Sequence, residues 1–129
     1  MHITSTHLGL MMTDLTVNNA GHVYTPGFDE GERYPALMDS WVTLDPPPRH
    51  VTMLSIRFHN IEDDPFCWFD YLELYKGGKS RSDVAWRLCG RRVIPGQVYD
   101  SPVLYLFFHS DTSFLEGRGF KLVFSYHPV

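Results

Sequence analysis

Phe120, Leu122, Phe124 and Tyr126 alternate with Lys121, Val123 and Ser125. A period of two places successive side chains on opposite faces of a strand, so this run predicts a half-buried strand over 120–126. The same pattern predicts strands at Trp41–Leu44, Val51–Phe58, Phe69–Tyr75 and Val103–Phe108, with shorter ones at His22–Tyr24 and Ala85–Leu88. Within 51–58, Leu54, Ile56 and Phe58 are placed on one face. Turn signals separate the runs: Pro26-Gly27, Pro46-Pro47-Pro48, Gly77-Gly78 and Pro95-Gly96. Helix signals are weak. Several short strands with regular turns imply an all-β fold, an antiparallel sandwich or barrel. Leu8, Leu10, Met12, Leu15 and Val17 fit an edge strand and a loosely packed arm equally well.

The 129 residues suffice for one domain with a real core and are too few for two ordinary ones. No internal repeat or linker divides them. A hydrophobic content of 43% places the chain among globular proteins. The net charge of −4 argues against nucleic acid as partner, because phosphate binding requires an excess of Lys and Arg. No apolar run is long enough for a transmembrane helix. The start carries no secretory signal, and Met1 is read as the beginning of a fragment; a complete chain starting this way would be expected in the cytosol.

The densest chemistry lies between Phe58 and Tyr71, where Glu62, Asp63, Asp64 and Asp70 surround Cys67, Trp68 and Phe69. Carboxylates brought together from separate loops suit a hard cation such as calcium, which takes oxygen ligands. The plain alternative is a solvated turn at Glu62-Asp63-Asp64-Pro65, with Asp70 bonding backbone amides. Cys67 and Cys89 fit no zinc spacing. They are open to two readings, a disulfide in an oxidising compartment or two buried thiols. The seven histidines form no metal or catalytic motif and are expected mostly on exposed strands and turns. Ser110 and Asp111, adjacent in a strand, point to opposite faces and cannot act as a direct relay. Arg87, Arg91 and Arg92 read as a small basic patch on the surface.

From Gly21 to Tyr126 the chain resembles the CUB family. Gly21-His22-Val23-Tyr24-Thr25-Pro26-Gly27-Phe28 resembles its opening, followed by Tyr34-Pro35 and Trp41. Cys67-Trp68-Phe69-Asp70-Tyr71-Leu72-Glu73-Leu74 resembles its Cys-x-x-Asp-Tyr core. Leu88-Cys89-Gly90 looks like its second cysteine element, and Phe108-His109-Ser110-Asp111 like its Phe-x-Ser-Asp element. Gly119-Phe120 and Tyr126 resemble its last strand. The resemblance implies a CUB-like jelly-roll sandwich over 21–129, with 1–20 as an N-terminal arm or edge strand. It implies a Cys67–Cys89 disulfide. The family's usual earlier disulfide is missing: Asp39 stands where a cysteine would precede Trp41 by two residues. That resembles the leading CUB domains of complement-initiating proteases and those of certain platelet-derived growth factors.

The resemblance also implies a calcium site. Glu62, Asp70 and Asp111 would supply carboxylates, and the backbone near Thr112 and Ser113 would supply carbonyls. Tyr34 would orient an acid. Tyr34, Glu62, Asp111 and Ser113 would form the face that meets a Lys or Arg of a partner protein. The expected role is calcium-dependent recognition in a module that is secreted or displayed on the outer face of a membrane protein, not an enzyme. A homo- or hetero-oligomer of the parent protein is compatible with such a module. The rival classes are a structural or dimerisation module without metal, and a metal-dependent hydrolase. The second would call for His ligands and a pocket.

Overall fold

The computed structural model describes residues 2–5, 11–12, 20–111 and 117–129. Two antiparallel sheets stack face to face. The first contains β1 (His2–Ser5), β4 (Asp39–Asp45), β10 (Leu104–His109), β6 (Tyr71–Lys76) and β7 (Val84–Leu88), in that order. The second contains β2 (Met11–Met12), β3 (Ala20–Tyr24), β11 (Gly119–Pro128), β5 (His50–Ile61) and β8 (Gly90–Arg91), with β9 (Ile94–Tyr99) also paired to β5. A 3-10 turn, Arg81–Asp83, precedes β7. Among the described residues no helix is long and apolar enough to cross a membrane.

The alternation in each strand decides what lies between the sheets. Val42, Leu44, Leu72, Leu74, Leu104, Leu106 and Phe108 point inward from the first sheet. Val23, Leu54, Ile56, Phe120, Leu122, Phe124 and Tyr126 meet them from the second. Burial of this apolar surface is the main force holding the sandwich closed.

The boundaries shift where a local interaction outweighs the hydrophobic pattern. The strand expected at Phe69 begins at Tyr71, because the residues before it belong to a bonded loop described below. Pro95-Gly96 is no turn but the interior of β9. β9 lies at a sheet edge and its register against β5 slips between Leu54 and Ile56, so the N–H that proline lacks interrupts no regular ladder.

β5 carries the largest departure. Its register against β11 slips by one residue at Arg57: Leu122 pairs with Ile56, and Lys121 with Phe58. An extra residue reverses the in–out phase of everything beyond it. Thr52, Leu54 and Ile56 are buried before the slip, and His59 and Ile61 after it. Phe58 therefore leaves the face it was expected to share with Leu54 and Ile56. It packs instead edge-on against Phe28 at 5.1 Å, beside the Arg118 guanidinium.

His59 takes the interior place, only 2% exposed, contrary to the expectation of surface histidines. Its Nδ1 bonds the Gly90 carbonyl at 2.8 Å. Burial pushes the imidazolium down from its ordinary 6.5 to about 4; the Gly90 bond opposes this and Arg92 adds to it. The unfolded chain thus takes up a proton, between about pH 6.5 and 4, that the fold refuses. Below pH 6.5 stability should fall by up to about 1.4 kcal/mol per pH unit from this residue. Urea denaturation of wild type and His59→Gln at pH 7, 6 and 5 checks it. The variant should show the shallower loss, and parallel curves would contradict the assignment.

Candidate functional site

β5 ends at Ile61 in one sheet, and the chain crosses to begin β6 at Tyr71 in the other. Glu62 and Asp70 are the first and last residues of that crossing. β10 pairs antiparallel with β6, with His109 opposite Tyr71, so the chain leaving β10 runs past the start of β6 and brings Asp111 to Asp70. One oxygen from each of Glu62, Asp70 and Asp111 lies within 4.8 Å of the others. Two carboxylates from the ends of one crossing and a third from a distant part of the chain are gathered at one end of the sandwich by the register of β10 against β6.

Asp70 is the buried member, at 0% exposure. Its Oδ2 accepts the Tyr34 hydroxyl at 2.5 Å and its Oδ1 accepts the Asp111 N–H at 2.8 Å. Burial raises the pKa of its carboxyl; the bonds from Tyr34 and the Asp111 amide pull it back, the Asp111 charge pushes it up again, and the net direction is upward. Tyr34 is held in turn. Its oxygen accepts the Glu62 N–H at 3.1 Å, its own N–H donates to the Gly117 carbonyl, and its ring meets Phe108 edge-on at 5.4 Å. Burial, followed by the bond to Asp70, raises the pKa of the phenol. One tyrosine therefore links two of the three acids. Thr112 and Ser113 lie outside the described residues.

Ser110 has a structural duty. Its Oγ donates to the Pro35 carbonyl at 2.7 Å and accepts the Met38 N–H at 2.9 Å, which fixes the loop carrying Tyr34. His109 is on the outer face of its sheet, with Nδ1 2.6 Å from Asp39 and its ring stacked on Tyr71. Asp39, which stands where the family usually has a cysteine, thus pairs with a histidine. The three arginines do not act as one patch: Arg87 pairs with buried Glu73 at 2.8 Å and donates to the Cys67 carbonyl, whereas Arg91 reaches Asn60.

Cys67 and Cys89 form a disulfide, tying the crossing loop to the end of β7. Asp64 is the residue that composition concealed. Its carboxylate accepts the N–H groups of Phe66 and Trp68 at 3.1 Å and of Phe69 at 3.4 Å, and its carbonyl accepts that of Cys67. Desolvation raises the Asp64 pKa, but the amides of Trp68, Phe66, Phe69 and Cys67 outweigh it and hold the carboxyl below its ordinary value. The Asp-Pro pair at 64–65 is the one sequence signal of this knot, since aspartate before proline favours a side-chain-bonded turn.

With this geometry in hand, the CUB domain model matches residues 13–124. The chain belongs to the CUB domain family. The domain is 36% identical over 110 residues to cubilin of Canis lupus familiaris and 28% over 109 residues to neuropilin-2 of Rattus norvegicus, 84% of this chain in each case. It spans 3% of that cubilin's length and 12% of that neuropilin's. Among solved structures, it resembles the MASP-1 CUB2 domain bound to Ca2+, with a TM-score of 0.68 and 26% identity, covering 83% of this chain and 92% of that one. The CUB1-EGF-CUB2 domain of human MASP-1/3 gives a TM-score of 0.75 at 21% identity, covering 87% and 43%. CUB domains are interaction modules of secreted proteins and of membrane-protein ectodomains.

Proposed function

We propose that this CUB domain binds calcium at Glu62, Asp70 and Asp111 and uses the loaded site to recognise a Lys or Arg of a partner protein. The parent would be secreted or face the outside of the cell. Residues 21–129 would form the recognition domain, with 1–20 as an N-terminal arm or edge strand. The observation that carries the reading is the meeting of three carboxylates, one fully buried, around a single supporting tyrosine.

The donor set fits the ion. It is all oxygen, and ligands on opposite sides of a calcium, each about 2.3–2.6 Å away, would span much the same distance as the 4.8 Å seen here. A buried carboxylate crowded by a second one is also the arrangement that a bound cation would relieve. A calcium-bound relative of the same fold supports the choice.

Calcium would supply the positive charge that lets three carboxylates share one end of the sandwich. Asp70 would hold it from the interior. Glu62 and Asp111, both less buried, would be ligands as well and turn their outer oxygens toward an incoming ammonium or guanidinium. Such charge-assisted bonds are short and directional, and they govern specificity and encounter rate more than affinity. Thr112 and Ser113 would add backbone oxygen, with Ser113 also facing the partner. Tyr34 would keep Asp70 and the Glu62 backbone in register.

Surface plasmon resonance of candidate partners, run in calcium and then in EDTA, tests the proposal. Binding should disappear on chelation and weaken with salt, because exposed ionic contacts are screened over about 8–10 Å. Equal binding in both buffers would refute it. Tyr34→Phe should weaken calcium binding less than Glu62→Ala does. The hydroxyl only supports the acids, and a lost hydrogen bond to a carboxylate costs about 1.5–3 kcal/mol, at least roughly tenfold. Calorimetric titration of both variants checks the order.

A further inference from the structure

We infer that the loop 63–69 is a preformed aromatic finger giving the acidic site a second point of contact, so that the partner segment carries its Lys or Arg next to a large apolar side chain. The inference rests on the proposed cation site and adds to it the character of the residue beside the cation.

Phe66, Trp68 and Phe69 are 68%, 69% and 49% exposed. They fill no core position, and a cluster of exposed large aromatics in one loop is uncommon unless it meets something. Mobility does not explain the exposure. The Asp64 carboxylate holds the amides of all three residues, the disulfide anchors Cys67, and Arg87 grips the Cys67 carbonyl at 3.1 Å. Cys67 itself takes a left-handed backbone, φ +52°, which turns the chain so that Phe66 and Trp68 lie side by side with rings 5.5 Å apart. A loop whose backbone is held before binding has less entropy to lose on contact, and tryptophan is enriched among the residues that dominate interfaces.

Position chooses the occupant. The two stems of the finger are Glu62 and Asp70, two of the three acids of the cluster. Leu37, 62% exposed with φ +59°, donates its N–H to the Asp111 carbonyl and adds an apolar side chain to the third acid's support. Acids framed by fixed apolar groups complement a cation carried on an apolar surface. An anionic membrane would meet repulsion from Glu62, Asp63 and Asp111 instead. The occupant is therefore a basic and apolar protein segment.

The probes are two amide-capped, acetylated peptides, Gly-Lys-Gly and Leu-Lys-Leu, titrated into the calcium-loaded domain and followed by 15N NMR with the backbone amides of Ile61 and Asp70 as reporters, which wild type and every variant retain. Covering about 50 Å² of additional apolar surface would make the leucine peptide bind about tenfold more tightly. Trp68→Ala and Phe66→Ala, both at exposed positions, should remove that gain and leave Gly-Lys-Gly binding intact, whereas Glu62→Ala should weaken both peptides. Equal binding of the two, or a gain that survives Trp68→Ala, would overturn this inference alone. Binding of neither peptide would overturn the cation reading and the inference with it. A blue shift of the tryptophan emission on phosphatidylcholine vesicles that Trp68→Ala removes, with no discrimination between peptides, would assign the finger to lipid and also overturn it.

Discussion

Replacing Cys67 and Cys89 together by serine should lower the unfolding free energy by about 3 kcal/mol. The bond closes a segment of 22 residues, and on the chain-entropy model a cross-link of that length removes about this much freedom from the unfolded chain. The consequence would not stop at global stability. Asp64 would remain as the knot of the crossing loop, but Cys67 would lose the anchor that holds its left-handed backbone, and the loop ends on Asp70. Urea denaturation of the oxidised domain beside the double variant measures the first effect. A calcium titration of the same pair measures the second and should show weaker binding in the variant. A loss well under 1 kcal/mol would mean that strand pairing alone defines this end of the sandwich.

If calcium binds as proposed, Asp70→Ala should abolish the stabilisation that it brings. A ligand bound only by the folded state stabilises it by mass action, about 2.7 kcal/mol at a concentration one hundred times its Kd. Asp70 is the central acid of the site, fully buried and bonded to both Tyr34 and the Asp111 amide. The substitution also leaves those two donors without their acceptor, which costs about 1–3 kcal/mol for each one kept from water, whether or not the metal binds. The quantity to compare is therefore the calcium-dependent increment within each protein, read from the melting temperature with and without millimolar calcium. Wild type should gain several degrees and the variant none. An undiminished increment in Asp70→Ala would move the metal elsewhere.

The strands of the core were readable because burial on one face leaves a period of two, as along 120–126. The pattern failed where a residue obeyed something other than burial. A one-residue bulge at Arg57 left no mark in composition, yet it moved Phe58 out and His59 in. Proline at 95 reads as a break, but at an irregular edge it interrupts no hydrogen bond of the ladder. Phe69 looked like strand because it is aromatic, and a carboxylate five residues earlier holds it in a loop.

The acids of the site were named through resemblance rather than pattern. Glu62 and Asp111 are 49 positions apart, and only strand register brings them together. The same acidic run contained a residue of opposite purpose. Asp64 turns inward on its own loop, and only the proline that follows it separates it from Asp63 in the sequence.

Calorimetric titration of calcium into the oxidised domain, with Asp111→Ala as control, tests the central claim most directly. One ion should bind per domain of wild type, and binding in the variant should be weaker by at least tenfold. Wild type that gives no heat of binding at millimolar calcium, or a variant that binds as tightly as wild type, would contradict it.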